Sequence, residues 1–271
     1  MKLAINYSTQ AAALLAAGQI ELDRFKCPDW PDMIAEAQAQ LPVSVHFTLS
    51  AGSGKLKKTA DWDFVAGLML QTDTPYLNLH LAPTLKEFPD YVVDELSHGH
   101  AKKVFKAMRK DVRAAVREFG PEKVIVENVP YRGRQDKVFR TAVDPERIRE
   151  IVEDTGCGLL LDISHARISA HELGMDAHDY IEQLPVEQIK ELHFTGLHDL
   201  DGYLQDHLSV LDSDWPFLEW ALDRIQAGKW AAPWLLAFEY GGVGEKFADR
   251  SDPAVMASQV PRIYRLLKER N

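Results

Sequence analysis

The chain has 271 residues, 46% of them hydrophobic and 27% charged, a composition that supplies a sizeable core and excludes extensive disorder. Its formal charge of −10 disfavours nucleic acid as a partner, because that binding draws on Lys and Arg neutralising phosphates. No apolar stretch approaches the roughly 18 residues that span a bilayer, and no basic segment with a long apolar run opens the chain, so no membrane is expected and the expected compartment is the cytoplasm.

Apolar runs that read as buried strands alternate with amphipathic helical stretches from end to end, the pattern of repeated βα units. In chain order the runs cover residues 3–7, 20–25, 43–49, 76–81, 123–129, 158–163, 189–195 and 234–240. Helical patterning covers 31–41, 101–119, 145–154, 177–184, 215–227 and 253–269, and Pro121, Pro145, Pro185, Pro233 and Pro253 punctuate the boundaries. Eight βα units close a barrel, and the length suits the usual size of about 250 residues for one such domain. The expected fold is therefore α/β, a single (β/α)8 TIM barrel over residues 1–271. A doubly wound sheet would normally place a glycine-rich phosphate loop after an early strand. Ala51-Gly-Ser-Gly-Lys55 lacks the leading Gly and the Ser/Thr after Lys, and reads as a flexible, lid-like loop. Longer loops at 48–59, 82–97, 130–143 and 196–214 all follow strands, which would gather them on one face.

Groups that bind metal through nitrogen or oxygen stand at or near the ends of these runs. They are Val43-Ser-Val-His46, Tyr76-Leu-Asn-Leu-His80, Val124-Ile-Val-Glu127, Leu159-Leu-Leu-Asp162, Ile189-Lys-Glu-Leu-His193 and Leu235-Leu-Ala-Phe-Glu239, with Asp206-His207 in the loop after the His193 run. One lone His would be an ordinary rim residue. So many ionisable groups at buried strand ends would be costly unless metals or mutual pairing compensated them. Imidazole and carboxylate without thiolate suit zinc, manganese or iron, and match copper(I) or an iron–sulfur cluster poorly. The donors exceed what one ion needs, so two or three divalent ions are expected, with Glu127 and Glu239 able to bridge neighbours at the roughly 3.5–4 Å of two-metal sites. Cys27 and Cys157, the two cysteines, read as reduced thiols with no part in a disulfide or zinc site. His98, His100, His171 and His178 read as helical surface residues, and His198 is left open. Arg132, Arg134, Lys137 and Arg140 read as a solvated basic face.

The stretch Thr155-Gly-Cys-Gly-Leu-Leu-Leu-Asp-Ile-Ser-His-Ala-Arg-Ile-Ser-Ala170, continuing through Leu184-Pro185 to Glu191-Leu-His-Phe-Thr-Gly196, resembles the MbnB/TglH-type multinuclear iron proteins of the xylose isomerase-like barrel superfamily. Glu127-Asn128 and Glu239 match less specifically. The resemblance implies a xylose isomerase-like barrel with two or three iron ions, zinc or manganese being the alternatives. It also implies oxygen-dependent modification of cysteine in ribosomally made peptides, with a small peptide-recognition partner protein. By position it makes His46, His80, Glu127, Asp162, His193, His207 and Glu239 metal ligands, with Asp206 beside them. The iron family commonly has Asn where this chain has His165, and Asp-x-x-His is similar to the abasic-site endonuclease branch of the superfamily. His165 is expected to ligate a second ion from a strand end turning into a loop. Asp206 and His207 are adjacent, whereas both branches often separate the pair by one residue. A metal-dependent hydrolase or sugar isomerase acting on a small molecule is the alternative enzyme, and metal storage or partner binding the non-enzymatic one.

Overall fold

The computed structural model describes residues 1–94, 97–135 and 137–270; the expected loops at 82–97 and 130–143 each have a part, 95–96 and 136, that lies outside the described residues. The strands in chain order are β1 (Lys2–Asn6), β2 (Arg24–Pro28), β3 (Val43–His46), β4 (Ser50–Ala51), β5 (Leu77–Leu81), β6 (Val124–Glu127), β7 (Gly158–Asp162), β8 (Ile189–Phe194), β9 (Gly196–Leu200), β10 (Tyr203–Leu208) and β11 (Leu235–Phe238). The helices are α1 (Thr9–Ala16), α2 (Pro31–Gln38), α3 (Leu56–Thr59), α4 (Trp62–Thr72), α5 (His98–Phe119), α6 (Pro145–Thr155), α7 (Ile163–Leu173), α8 (Ala177–Gln183), α9 (Trp215–Gln226) and α10 (Pro253–Glu269). No helix among the described residues is long and apolar enough to cross a membrane.

The chain forms two compact units, one of residues 1–46, 70–74 and 190–271, the other of 47–69 and 75–189. In the first unit the ladder runs β3-β2-β1-β11-β8, every pair parallel. Its apolar strand residues, such as Leu3, Ile5, Phe25, Val45, Leu192, Leu236 and Phe238, are almost wholly buried. The expected strand at 20–25 lies later, at β2. Ile20 and Leu22 are buried but lead into the sheet through Asp23, whose carboxylate accepts a bond from Leu3 N. The strand proper contains Arg24 and Lys26, both buried, and a polar residue inside a strand masks the apolar run that sequence reading relies on.

The loop expected at 196–214 is largely an antiparallel hairpin of β9 and β10. Its turn is Asp201-Gly202, both with positive φ (56° and 83°), the backbone of the two-residue hairpin turns that twist with their strands. Gly196 at its base is required, since a Cβ there would lie 1.8 Å from Ser209 O.

In the second unit the ladder runs β4-β5-β6-β7, again parallel. The residues of β7, Gly158-Leu-Leu-Leu-Asp162, are all buried. Helix α6 starts on an Asp144 cap with Pro145 at its first position and stops at Gly156 in the left-handed region, the usual polarity of helix signals.

The Gly-Ser-Gly loop is not the free lid that its composition implies. Asp111, buried on α5, accepts bonds from Gly52 N (3.0 Å), Gly54 N (2.7 Å), Leu56 N (2.9 Å) and Ser53 Oγ (3.3 Å). The backbone amides form a concave anion cradle of the kind that binds phosphate elsewhere, and the anion is the protein's own carboxylate. Both glycines are explained locally: a Cβ on Gly52 would meet Pro83 Cα at 2.4 Å, and Gly54 has φ +70°.

Two outcomes follow from this packing. Asp111→Ala orphans three amides, two of them buried, which is expected to cost about 2–4 kcal/mol, read as a lower urea midpoint together with faster hydrogen exchange at 52–56; unchanged exchange there would show that the loop does not depend on Asp111. Burial pushes the Cys27 thiol up to about 12, with Glu36 adding to it, and the Cys157 thiol up to about 11. Neither should be alkylated by iodoacetamide in the folded protein near neutral pH, and both should react once it is unfolded in urea.

Candidate functional site

In the first unit, β3 ends at His46, β8 carries His193, and Glu239 follows β11. Ala237 is opposite His193 and Phe238 opposite Phe194, and Glu239 N donates to Phe194 O at 3.0 Å, so Glu239 stands two rungs beyond His193. One ligand atom from each of His46, His193 and Glu239 lies within 4.8 Å of the other two. The His46 and His193 rings are 5.4 Å apart, and His193 Nδ1 is 3.0 Å from Glu239 Oε1. His207 Nδ1 is 3.1 Å from Glu239 O and 3.6 Å from its Oε2.

Adjacent Asp206 and His207 would point to opposite faces of a regular strand. The hairpin register passes from Gln205↔His198 to Leu208↔Gly196, so β10 holds one extra residue, and His207 has φ +59°. The bulge lets Asp206 Oδ2 approach within 4.0 Å of His207 Nε2, and it accounts for the missing spacer between the two. Bulges commonly re-aim side chains in this way.

In the second unit, His80 and Glu127 are register partners at the ends of β5 and β6, with His80 Nε2 3.3 Å from Glu127 Oε2. His165 Nδ1 is 3.6 Å from both Glu127 Oε1 and Asp162 Oδ2. Asp162 ends β7 and caps α7, accepting from His165 N at 2.8 Å. His165 therefore lies in the first turn of a helix that begins at the strand end, which corrects the expected turn into a loop. Asp162 gives Oδ1 to the helix start, and its Oδ2 lies 3.6 Å from His165 Nδ1.

The imidazoles are oriented individually. A carbonyl oxygen only accepts, so each nitrogen facing one must carry the proton. That makes Nδ1 the donor in His80 (to Leu49 O, 3.2 Å), His165 (to Asn128 O, 2.9 Å) and His207 (to Glu239 O, 3.1 Å), and turns Nε2 of each away from those carbonyls, in His80 toward Glu127 Oε2 at 3.3 Å. His193 is reversed: its Nε2 is 2.9 Å from Glu191 Oε1, and Glu191 is in turn paired with Lys26.

Three residues without a role in the sequence reading emerge here. Asn128 donates to Asp162 O and accepts from Asp162 N, both at 2.9 Å, and its carbonyl holds His165. Lys26 and Glu191 form the buried pair behind His193. For Asn128 and Glu191 the available signal was a polar side chain inside a run that otherwise reads as a buried strand; Lys26 falls just past the run at 20–25. Among the described residues, none of His98, His100, His171, His178 and His198 joins a donor group. His98 and His100 open α5, His100 stacks on Tyr91 at 3.9 Å, and His198 Nε2 donates to Ser209 O at 2.7 Å. Arg134, 84% exposed, pairs with Asp94 on a solvated face.

Without metal, the first unit holds a buried chain of alternating charge. Burial opposes the His193 imidazolium most and Lys26 opposes it too, but the Glu239 carboxylate together with hydrogen bonds to Glu191 and Glu239 outweighs both; the net raises its pKa to about 9. Burial likewise opposes the Glu191 carboxylate, and Lys26 and His193 outweigh that to hold it at about 2. Glu239 also lies well below the usual range despite burial, through His193 first and then His207 and His46. The stability from His193 is complete below its ordinary value of 6.5 and lost as pH rises through about 9, whereas that from Glu191 is complete above its ordinary 4.5 and lost as pH falls through about 2. Chelator-treated protein is expected to lose urea stability as pH rises from 6.5 through about 9, with a flatter profile in His193→Gln; parallel profiles would contradict the assignment.

Over nearly its whole length the chain is similar in fold to solved structures. One is an AP endonuclease, family 2, from Brucella melitensis, at 18% identity and TM-score 0.59, with 96% of this chain and 98% of that one covered. Another is D-psicose 3-epimerase with D-tagatose from Clostridium cellulolyticum H10, at 14% identity and TM-score 0.56, covering 100% and 99%. These likenesses define an α/β protein with xylose isomerase-like TIM-barrel neighbours. Residues 26–236 match the RiPP precursor modification enzymes MbnB/TglH/ChrH, and the chain belongs to this family. Its relatives include UPF0276 proteins of Acaryochloris marina, 26% identical over 213 residues covering 71% of this chain and 69% of the relative, and of Paraburkholderia phytofirmans, 41% identical over 73 residues covering 27% and 24%. The match thus spans about a quarter of the Paraburkholderia protein's length.

Proposed function

We propose that this chain is a metal-dependent oxidative enzyme, one (β/α)8 barrel over residues 1–271, that modifies cysteine in a ribosomally made peptide delivered by a small peptide-recognition partner. The observation that carries the reading is the group of half-buried His46 with buried His193 and Glu239, whose ligand atoms lie within 4.8 Å of one another. Family membership supports the peptide substrate, and solved neighbours that cover the chain end to end support the closed barrel.

The donor chemistry fits such ions. All the donors are imidazole nitrogen or carboxylate oxygen, the set preferred by iron, manganese and zinc, and backbone carbonyls orient three of the imidazoles, those of His80, His165 and His207. His46, His80, Glu127, Asp162, His165, His193, Asp206, His207 and Glu239 would hold two or three ions, iron first among the candidates. Iron bound there would supply electron transfer with oxygen. The chain's own part is orientation: Asn128 fixes Asp162 and His165, Glu191 fixes His193, and Glu239 O fixes His207. Partners of this kind behind metal ligands usually matter nearly as much as the ligands.

Protein purified without added metal is expected to carry at least two first-row ions per chain by elemental analysis, because the donors exceed the four to six positions of one ion. Glu239→Ala should lower that content while circular dichroism stays unchanged. One ion or none in the wild type would sink the multinuclear reading. A second reading, metal-assisted hydrolysis or sugar isomerisation, draws on Asp162-x-x-His165 and on the endonuclease and epimerase neighbours. Oxygen uptake by the iron-loaded protein with a cysteine-containing peptide separates the two: uptake supports oxidation, and none with turnover of a sugar or an abasic-site substrate supports the second.

A further inference from the structure

Lys26 and Glu191 are 2% and 4% exposed, and their strands are not neighbours. β2 and β8 are separated in the ladder by β1 and β11, three strand spacings or about 14 Å. The two side chains nonetheless meet, so they reach toward each other over one face of this curled five-stranded ladder. Residues two apart on a strand share a face, which puts Glu191 on the face of His193. Lys26 pairs in register with Ser44, two residues before His46, which puts it on the face of His46. The pair is thus one layer beneath His46 and His193.

An ion pair this deep is costly, and apolar residues of the same volume would commonly fill the space at least as stably. What the pair does beyond filling is set by its third contact, Glu191 Oε1 to His193 Nε2 at 2.9 Å. A carboxylate accepts only, so Nε2 carries the proton and Nδ1, facing Glu239 at 3.0 Å, is the nitrogen left with a lone pair once a cation displaces the proton from that side. His80, His165 and His207 take the opposite tautomer from backbone carbonyls. His193 lies within β8, where the neighbouring carbonyls serve the ladder, and a side-chain acceptor takes their place. Lys26 compensates that acceptor's charge, so that the imidazole does not face two unneutralised carboxylates, Glu191 and Glu239.

We infer that Glu191, seated on Lys26, is a positioning residue that fixes His193 with Nε2 protonated and presents Nδ1 to a divalent cation shared with His46 and Glu239. The inference rests on the metal reading proposed above.

Zn(II), which is redox-inert, is the probe, with affinity measured by competition against a chelator and stability by urea denaturation in chelator. Glu191→Ala is expected to weaken Zn(II) binding about 10–100-fold, the usual effect of losing a partner behind a metal ligand. Glu191→Gln should lose less, because its amide oxygen accepts the same bond. Should Glu191→Ala not fold, Lys26→Met/Glu191→Leu removes both charges and restores an apolar filling; its urea midpoint should approach the wild type while Zn(II) binding stays weak. Nitrogen-15 spectra of the Zn(II)-loaded wild type should show His193 protonated on Nε2 and bound through Nδ1. Recovery of affinity along with stability in the double variant, or a His193 bound through Nε2, overturns the inference. Wild type and variants binding Zn(II) alike overturns it while leaving the metal reading intact, and a wild type that binds no Zn(II) overturns both.

Discussion

A charge placed inside a parallel sheet has to be answered within hydrogen-bond reach, because the surrounding apolar strands offer nothing else. The first unit meets that constraint with a line of alternating charge, Lys26, Glu191, His193 and Glu239, each contacting the next. Arg24, also buried, is answered by the carbonyls of Val43 and Thr72 and lies over the Trp234 ring. The second unit meets it with backbone dipoles: Asp111 takes three amides, and Asp162 takes the amide of His165. In both units the polar residues are held by specific partners, which is the condition under which polar groups make an interior more ordered and not merely less stable.

Positions of the candidate ligands then follow from backbone geometry at strand ends. His80 and Glu127 are side by side because β5 and β6 are in register there. Asp162 and His165 are together because the strand turns into α7 without a spacer and the cap bond closes over three residues. His207 reaches the neighbourhood of Glu239 because a bulge with left-handed backbone replaces a spacer residue. A non-glycine residue held in that conformation stores on the order of 1–3 kcal/mol of strain, which the hairpin's pairing must absorb.

Much of this was legible. The βα alternation, the helix boundaries at Pro145 and Pro253, and the strand ends that carry the candidate His, Asp and Glu residues follow from hydrophobic periodicity and punctuation, which are local properties. The early strand was read four residues too soon because Arg24 and Lys26 are polar letters in buried positions, and their partners Thr72 and Glu191 are far along the chain. Asp201-Gly202 between 196–200 and 203–208 carries a recognised hairpin signal, but the flanking residues His198, Asp199, Gln205 and Asp206 blur the alternation that would have confirmed it. Which nitrogen of each imidazole faces inward was not legible at all, since it depends on carbonyls and carboxylates supplied by other strands.

The cradle around Asp111 also bears on motion. A loop at the rim of a site usually hinges by changing a few backbone angles while its surroundings stay still. Here the amides of Gly52, Gly54 and Leu56 are moored to one side chain in the middle of α5, a helix of 22 residues and about 33 Å in length. The loop and the helix are therefore mechanically one body. Displacing the loop by itself breaks three charge-assisted bonds at once, so Asp111 is the mooring that any such displacement must first release.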